Sequence, residues 1–596
     1  MNQHMRGFVH QFRSRIHGVM ALAAVVCALD AAAQSPFPGQ STGGAQEQAA
    51  APAPAQDRYV VKWTRTKAKD GDAAASAAPE VDSTPTGPRS GRLILFFVPD
   101  QKRWDGVYPA DAPFFEKLQP IASIALAEPD FAALERGDAV TISDGPALRS
   151  FRGPLDGLDG PWKVQAVVDR DFTERGHLGP GNILSAPIGV ELHADGADEV
   201  RIDLTLVVEP TEPPAVAGVE WIERPSALLT RHAGREVKHR AGIVLPFGYD
   251  DLGFDRRMWP TIFVIGGFGA NHLAAADAAA ALRAPEARAV IPQAVWVFLD
   301  AETPWGHHGF CDSETNGPVG TALVEEFIPF LEERFRLIAE PSARIVTGHS
   351  SGGWSALHLA LTYPSVFGAC FASSPDPVDF AAFQRTNLYL DASLFVTATG
   401  EETPSFRAPL GPELDRVLMT VRDEIETELA IDPSGRSGEQ WAAWEAMWSP
   451  YDAKLGRPRP LCDASSGAID PVTVEAWSKF DLARRFDRDP DAIGTLIASR
   501  VRLLCGARDS FYLNEAVARL RDRFERWRGE ARARGAAEAE GPGSIELLDG
   551  LTHDSAYPAA MLRFHHGMTE HLRRHGHGEA PPLPAALDPG RERNPR

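Results

Sequence analysis

The pattern of hydrophobic and polar positions changes once along the chain, near residue 240. Between residues 57 and 232, apolar and polar side chains alternate in short runs that turn residues separate, a pattern typical of half-buried strands. These runs lie at residues 59–63, 93–98, 162–168, 190–193 and 200–208. The pattern predicts an all-β, sandwich-like domain over residues 57–232, with a loop at 67–91 that is rich in Ala, Asp and Pro.

After residue 240 continuous apolar runs replace the alternation, and helical segments separate them. Such runs are typical of strands buried on both faces of a sheet. They lie at residues 241–246, 261–265, 294–299, 344–347, 369–372, 501–505 and 545–548, with helices expected at 274–282, 321–334 and 353–363. Alternating strands and helices predict an α/β domain with a mainly parallel sheet over residues 236–575.

Between residues 380 and 499 this alternation lapses, which predicts an insertion that caps the ends of the strands. The insertion carries four tryptophans, Trp441, Trp444, Trp448 and Trp477. The first three lie at spacings of three and four, so they share one face of a helix. The sequence leaves two interpretations open, because these rings could pack the cap onto the core or contact a substrate.

Both ends of the chain differ from the folded part. Three arginines precede an apolar run at residues 19–29, and three alanines follow it, which predicts a secretory signal peptide over residues 1–33. The run is too short for the roughly 20 residues that span a bilayer, so we expect an exported protein, periplasmic or secreted, without a membrane span. Residues 34–56 are expected to be a low-complexity linker, and residues 576–596 a disordered tail.

The net charge and the spacing of the cysteines argue against two kinds of function, nucleic-acid binding and zinc binding. The formal net charge of −21 argues against a nucleic-acid partner. Beyond the signal peptide lie Cys311, Cys370, Cys462 and Cys505, whose spacing does not indicate a zinc site. Cys370 and Cys505 fall in apolar runs and are expected to be buried thiols. Since the expected export would place the chain in an oxidising compartment, where disulfides persist, we hypothesise a disulfide between Cys311 and Cys462.

One segment carries a pattern with a chemical meaning, Gly348-His349-Ser350-Ser351-Gly352. A β-branched run precedes it and a helical segment follows it, as in a nucleophile elbow, where a strained turn exposes a serine hydroxyl. The same spacing recurs around Ser41, inside the linker and with no strand before it. The context therefore selects Ser350 as the nucleophile.

A serine hydroxyl needs a base that removes its proton and a carboxylate that orients the base. In this type of fold the chain order is serine, acid, histidine. His553 follows the last apolar run, and Asp509 follows the run before it, with Asp376 and Asp379 as alternative acids. Other histidines fit less well, because they precede Ser350, share a predicted helix or lie near the tail: His307, His308, His565, His566, His571, His575 and His577.

An oxyanion hole requires two backbone N–H groups near the serine. We expect the first from Ser351 and the second from the Gly-rich turn after residues 261–265, at Phe268 beside Gly267. A further loop precedes the helix before the elbow, and its polar residues would either rim the acyl pocket or form a capped loop. They are His307, His308, Asp312, Glu314 and Asn316.

Together these features resemble the putative esterase family of α/β-hydrolases, which includes esterase D-like, feruloyl and enterochelin esterases and bacterial mycolyltransferases. The resemblance covers residues 240–574 and depends on residues 245–250, 259–269, 348–353 and 363–368. It implies an α/β-hydrolase fold, with Ser350 as nucleophile, Asp509 as acid and His553 as base. The chain departs from the family at Gly266, where many relatives have histidine, and in the long insertion before Asp509.

The sequence thus predicts an exported serine esterase that cleaves a carboxylic ester of a small molecule or glycan through an acyl-enzyme on Ser350. No cofactor and no metal are expected. An acyltransferase to a sugar or lipid would use the same three residues, and a glycan-binding protein on a non-catalytic hydrolase scaffold is the alternative outside enzymes. Peptidase activity is a third alternative. The acyl and alcohol groups of the substrate and the oligomeric state stay open.

Overall fold

The structure is a computed structural model that describes residues 57–64, 90–112, 118–170, 172–194, 198–250, 257–284, 290–411 and 414–577. The predicted signal peptide and linker, and nearly all of the loop at 67–91 and of the tail, lie outside these residues. In the part of the chain that is described, no helix combines the length and the apolar character needed to cross a membrane.

The first part of the chain forms one sheet. Its elements are β1 (Arg58–Trp63), β2 (Ser90–Pro99), β3 (Ile121–Ala127), α1 (Glu128–Arg136), β4 (Ala139–Ile142), β5 (Arg149–Phe151), β6 (Gly160–Asp169), β7 (Ile183–Ser185), β8 (Ile188–Leu192) and β9 (Glu199–Val207). Hydrogen bonds join the strands in the order β4-β1-β9-β7-β6-β2-β3-β5, with β8 beside β6. The predicted sandwich would divide them between two sheets, and α1 shows that the region is not all-β.

Both faces of this sheet are covered. Along β2, Leu93 and Leu95 pack into the core of one face, together with side chains of α1. Ile94 and Phe96 belong to the opposite face, where Ile431 of the insertion packs against them. The insertion therefore covers one face of the N-terminal sheet, and β2 is apolar at successive positions because both of its faces are buried.

The second unit begins with β10 (Val219–Pro225), α2 (Ala227–Ala233), β11 (Lys238–Val244), β12 (Thr261–Ile265), α3 (Ala274–Arg283), β13 (Val295–Leu299), β14 (Glu302–Thr303), β15 (Gly306–His307), α4 (Val319–Ala322), α5 (Ile328–Arg334), β16 (Arg344–His349), α6 (Ser351–Thr362) and β17 (Ala369–Ser373). A π-helical turn, Leu323–Phe327, joins α4 to α5.

The insertion follows, with β18 (Pro404–Pro409), β19 (Asp415–Thr420), α7 (Val421–Ile431), α8 (Gln440–Trp448), β20 (Tyr451–Asp452), β21 (Arg457–Pro458), α9 (Pro471–Trp477), α10 (Leu482–Arg488) and α11 (Pro490–Arg500). The chain then returns to the second sheet with β22 (Val501–Gly506), α12 (Leu513–Ala533), β23 (Ser544–Leu548) and α13 (His553–Arg574).

Eight strands form the second sheet, in the order β10-β11-β13-β12-β16-β17-β22-β23. The six strands from β13 to β23 are parallel, whereas β11 is antiparallel to both of its neighbours. Ile262 and Val264 face α3 and α13, while Phe263 and Ile265 face the opposite core, which contains α6 and α12. Helices thus cover both faces, and the predicted α/β-hydrolase fold is confirmed.

Packing explains most of the insertion's tryptophans. Trp448 and Trp477 are fully buried, and their ring centroids are 5.0 Å apart. Trp441 packs edge-on against Trp444 at 5.0 Å. All four rings therefore belong to the core, and of these four only Trp444 also lines the large cavity described below.

The four cysteines within the described residues do not pair with one another. Cys311, Cys370, Cys462 and Cys505 are all free thiols, so the hypothesis of a disulfide between Cys311 and Cys462 is wrong. Burial raises the pKa of each of these four thiols. The thiol form therefore prevails, which makes these side chains poor nucleophiles.

Candidate active site

The turn between β16 and α6 holds Ser350 in a strained conformation. Its φ is 57° and its ψ is −126°, a region that residues with a side chain rarely adopt. The flanking glycines are required by space, because a Cβ on Gly348 would lie 2.1 Å from Gly352 O and one on Gly352 would lie 2.1 Å from Ile265 O. This geometry is that of a nucleophile elbow, which lifts the serine hydroxyl above the sheet.

His553 and Asp509 meet at the ends of two strands. His553 is the first residue of α13, after β23, and Asp509 lies in the loop after β22. Nδ1 of His553 lies 2.8 Å from Oδ2 of Asp509, and both side chains are buried. Oδ1 of the same carboxylate accepts the N–H of Phe511 at 2.9 Å. Since Nδ1–H donates to a fixed carboxylate, Nε2 is the nitrogen that can accept a proton.

Electrostatics around His553 favour this pairing. Burial alone would lower the pKa of the imidazole, but the negative charge and the hydrogen bond of Asp509 outweigh burial, so the pKa is raised above 6.5. The protonated imidazole is therefore stabilised by Asp509, as a base that receives a proton from serine needs to be.

Asp376, one of the alternative acids, does not bind His553. Its Oδ2 accepts hydrogen bonds from Ser351 Oγ and from Trp444 Nε1, both at 2.8 Å. Burial raises the pKa of this carboxyl to about 6. Asp376 thus ties the first residue of α6 to the insertion.

Asp379, the other alternative, has a structural role. Its Oδ1 caps the short helical turn that follows it, and its Oδ2 pairs with Arg519 at 2.7 Å and Arg523 at 2.9 Å. The carboxylate is fully buried at this ion-pair cluster, away from the imidazole.

For the loop at residues 307–316 the sequence left two alternatives, a rim of the acyl pocket or a capped loop. The structure shows the capped loop. Asp312 accepts two backbone N–H groups of α4, Glu314 accepts the first N–H of β20, and Asn316 donates to a carbonyl in α8. None of these three, nor His307 or His308, is among the residues that line the cavity in the described structure.

His307 nevertheless contributes to the site. Its Nδ1 accepts the N–H of Gly309 at 3.1 Å, which leaves Nε2 to donate to Gly266 O at 3.2 Å. Burial lowers the pKa of His307 to about 4, so the ring stays neutral and keeps this tautomer near neutral pH. This contact could not be predicted from the sequence, because the two residues are 41 positions apart.

The Gly-rich turn after β12 lies directly beside the elbow. A Cβ on Gly267 would lie 3.3 Å from Ser350 Cβ, so the backbone of this turn approaches Ser350 closely. Phe268 and Gly267 line the same cavity as Ser350. Ser351 is the first residue of α6, where backbone N–H groups have no partner within the helix.

A cavity of about 1960 Å³ opens above the elbow. Ligand pockets usually measure about 300–1,000 Å³, so this one has room for a large substrate or for two subsites. The hydrolase unit, the insertion and the N-terminal sheet domain all contribute to its wall. Representative lining residues are Ser350, His553, Gly267 and Phe268; Phe406, Glu424, Glu439 and Trp444; and Tyr108, Gln119, Arg175 and His177.

Carboxyl groups dominate the polar part of this wall on the insertion side. Asp376, Glu424, Glu428 and Glu439 line the cavity there. Burial raises the pKa of Glu424 to about 7, and its carboxyl accepts a hydrogen bond from Trp441 Nε1. No group of three or more His, Cys, Asp or Glu side chains within the described residues is arranged to hold a metal ion.

Comparison with known proteins relates part of this chain to one sequence family. Residues 300–528 match the sequence model of the putative esterase family, and this span contains the elbow and Asp509. The family resemblance predicted from the sequence is therefore confirmed over these residues. The matched span ends before His553 and begins after the Gly-rich turn.

Individual relatives are distant. A stretch of 75 residues is 36% identical to the uncharacterized protein YbbA of Bacillus subtilis strain 168, which corresponds to 12% of this chain and 30% of that protein. The match to the structure of a ferulic acid esterase covers 59% of this chain and 98% of that chain, with 15% sequence identity and a TM-score of 0.32. The match to FphF, a fluorophosphonate-binding serine hydrolase of Staphylococcus aureus, covers 59% of this chain and 99% of that chain, with 11% sequence identity and a TM-score of 0.31.

Proposed function

We propose that the protein is a serine esterase that hydrolyses carboxylic esters through an acyl-enzyme on Ser350. The observation that carries this proposal is the buried hydrogen bond between His553 and Asp509 at the cavity that contains the Ser350 elbow. A strained serine, an imidazole with a free nitrogen and a buried carboxylate are the parts that this reaction requires.

In the first half of the reaction, His553 Nε2 takes the proton of Ser350 Oγ as that oxygen attacks the carbonyl carbon of the ester. Asp509 stabilises the imidazolium that results. The carbonyl oxygen becomes an oxyanion, for which the N–H groups of Ser351 and Phe268 are the proposed donors. When the intermediate collapses, the alcohol leaves with the proton from His553 and the acyl group stays on Ser350.

In the second half, a water molecule replaces the alcohol. His553 takes one proton from the water, and the hydroxide attacks the acyl carbon to form a second oxyanion in the same position. Collapse returns the proton to Ser350 Oγ and releases the carboxylic acid. No group beyond the three side chains, the two N–H groups and water enters this cycle.

The cavity favours neutral esters with a bulky group over anionic ones. Its volume exceeds the space that a short acyl chain fills. Burial raises the pKa of Asp376 to about 6 and of Glu424 to about 7, so this part of the wall disfavours negative charge, and an anionic substrate would meet the same penalty. We therefore expect a preference for uncharged substrates with large acyl or alcohol groups.

The test compares hydrolysis of a series of p-nitrophenyl esters by residues 34–596 and by the Ser350→Ala variant. Loss of at least about 10³-fold in kcat is expected for Ser350→Ala. Ser41→Ala is a matched control, because Ser41 has the same Gly-x-Ser-x-Gly spacing and should leave the rate unchanged. A Ser350→Ala variant that keeps most of its activity would contradict the assignment.

We also propose that the enzyme acts outside the cytoplasm. Residues 1–33 support this, since their basic start, short apolar run and alanines are the parts of a signal peptide. Cell fractionation of the full chain should give a processed protein in the periplasm or medium that begins near Gln34. An unprocessed chain confined to the cytoplasm would contradict export.

A further inference from the structure

The turn that carries the proposed oxyanion donor is built from residues that do not stiffen it. Residues 266–271 include three glycines, and Gly269 has a φ of 83°. Within the turn, the N–H of Ala270 donates to Gly267 O at 3.0 Å. Because glycine loses much conformational freedom on folding, a turn of this composition needs contacts from elsewhere to hold one geometry.

Arg175, from the N-terminal sheet domain, supplies one of these contacts. Its guanidinium carbon lies 4.3 Å from the centroid of the Phe268 ring. Its Nη1 pairs with Glu302 Oε1 at 3.0 Å, and its Nε donates to Gly438 O at 3.1 Å. With partners in the hydrolase unit and in the insertion, the planar guanidinium is fixed in position over the Phe268 ring.

Glu302 extends the same contact to the other end of the turn. While its Oε1 binds Arg175, its Oε2 accepts a hydrogen bond from Asn271 Nδ2 at 2.8 Å. His307 holds the beginning of the turn through Gly266 O. The turn is therefore held at its start, at Phe268 and at its end.

From this geometry we propose that Arg175 is a positioning residue for ester hydrolysis, which fixes the Phe268 N–H in the oxyanion hole. The inference rests on the proposed function of the site. The guanidinium already has carboxylate and carbonyl partners, so it acts through the turn and not by binding substrate. The N-terminal sheet domain, which no part of the proposed reaction used, thereby completes the active site.

The size of the effect follows from the oxyanion hole. Donors act when they lie about 2.7–3.1 Å from the oxyanion, and a displacement of about 1 Å can cost about 10²-fold in rate. Arg175→Met removes the charge and the hydrogen bonds but keeps an unbranched side chain. We expect kcat for a p-nitrophenyl ester to fall by about 10- to 100-fold, with KM within about twofold of wild type.

Two further variants sharpen the test. Arg175→Lys can keep the ion pair with Glu302 but lacks the planar group that covers Phe268, so its kcat should be intermediate. Arg235→Met is the matched control, because Arg235 also reaches the N-terminal domain, where its Nη2 donates to Thr173 O at 3.2 Å, but it is not among the residues that line the cavity. Its kcat should stay within about twofold of wild type.

A second readout separates positioning from simple loss of structure. A trifluoromethyl ketone forms a tetrahedral adduct with an oxyanion, so its inhibition constant should rise in Arg175→Met by about the factor lost in kcat/KM. Thermal unfolding of each variant reports folding. If Arg175→Met does not fold, Arg175→Lys decides alone, through the same kinetic constants.

Three results would overturn the inference. They are a folded Arg175 variant with wild-type kcat, a rise in KM without a fall in kcat, and an equal loss in Arg235→Met. Failure of the proposed function looks different, because wild-type protein would then hydrolyse no ester and react with no fluorophosphonate. Active wild type with an unaffected Arg175→Met variant refutes the positioning role alone.

Discussion

Replacing Asp509 by asparagine should slow ester hydrolysis severely while the fold survives. The carboxylate is fully buried and has two separate tasks, since Oδ1 accepts the Phe511 N–H and Oδ2 binds His553. Asparagine has nearly the same shape, and its carbonyl oxygen can keep the bond to the backbone. Its amide group then faces Nδ1, which removes the negative charge and favours the tautomer with the proton on Nε2.

The magnitude follows from the buried pair. Removing one partner of a buried ion pair costs about 3–5 kcal/mol. Because His553 becomes an imidazolium during the reaction, this cost falls on the transition state. At about 1.4 kcal/mol for each factor of ten, kcat should drop by about 10²- to 10⁴-fold. KM should change little, since Asp509 is not among the residues that line the cavity.

Asp376→Asn is the matched comparison. This carboxyl is also buried and lines the same cavity, but its partners are Ser351 and Trp444 and not His553. Initial rates with a p-nitrophenyl ester, together with thermal unfolding, should show a loss within about tenfold for Asp376→Asn. The reasoning is refuted if Asp376→Asn loses more activity than Asp509→Asn, or if Asp509→Asn keeps more than about a tenth of kcat.

Three further predictions concern pH and stability. The acid limb of kcat/KM should have an apparent pKa above that of a free imidazole, because Asp509 stabilises protonated His553. The limb should move to lower pH in Asp509→Asn, and an unmoved limb contradicts the pairing. Burial raises the pKa of Glu424 from 4.5 to about 7, so the folded state holds a proton that the unfolded state has lost, and stability falls as pH rises through this window. Urea unfolding at several pH values should show that the free energy of unfolding falls less with rising pH in Glu424→Gln than in wild type. An equal fall in both proteins would contradict the raised pKa of Glu424. Trp477 is fully buried and donates to Ser449 Oγ at 2.8 Å, so Trp477→Ala should cost about 3–5 kcal/mol of unfolding free energy, and a loss below about 1 kcal/mol would contradict its place in the core.

The parts of the site that local sequence dictates could be predicted. The strand before Ser350 was expected over residues 344–347 and spans Arg344–His349, because a continuous apolar run needs burial on both faces. The turn that follows is equally local, since Gly348 and Gly352 are each excluded from carrying a Cβ by backbone atoms nearby. Patterns of this kind can be seen within about twenty residues of sequence.

Contacts between distant segments could not be predicted in the same way. Arg175 and Gly438 are 263 positions apart, and nothing in either segment indicates that they meet. The N-terminal strands show the same limit, because period-two alternation tells which side chains are buried but not which strands are neighbours. The position of Asp376 after a strand made it a possible acid. Only the fold shows that its carboxylate accepts hydrogen bonds from Ser351 and Trp444 instead.

The most direct test of the central claim is reaction of a protein comprising residues 34–596 with a fluorophosphonate, followed by mass spectrometry of the intact protein and of its peptides. A nucleophilic Ser350 predicts one adduct for each chain, on the peptide that contains Ser350, and no adduct in Ser350→Ala. Absence of an adduct on wild-type protein, or an adduct that persists in Ser350→Ala, would contradict the account.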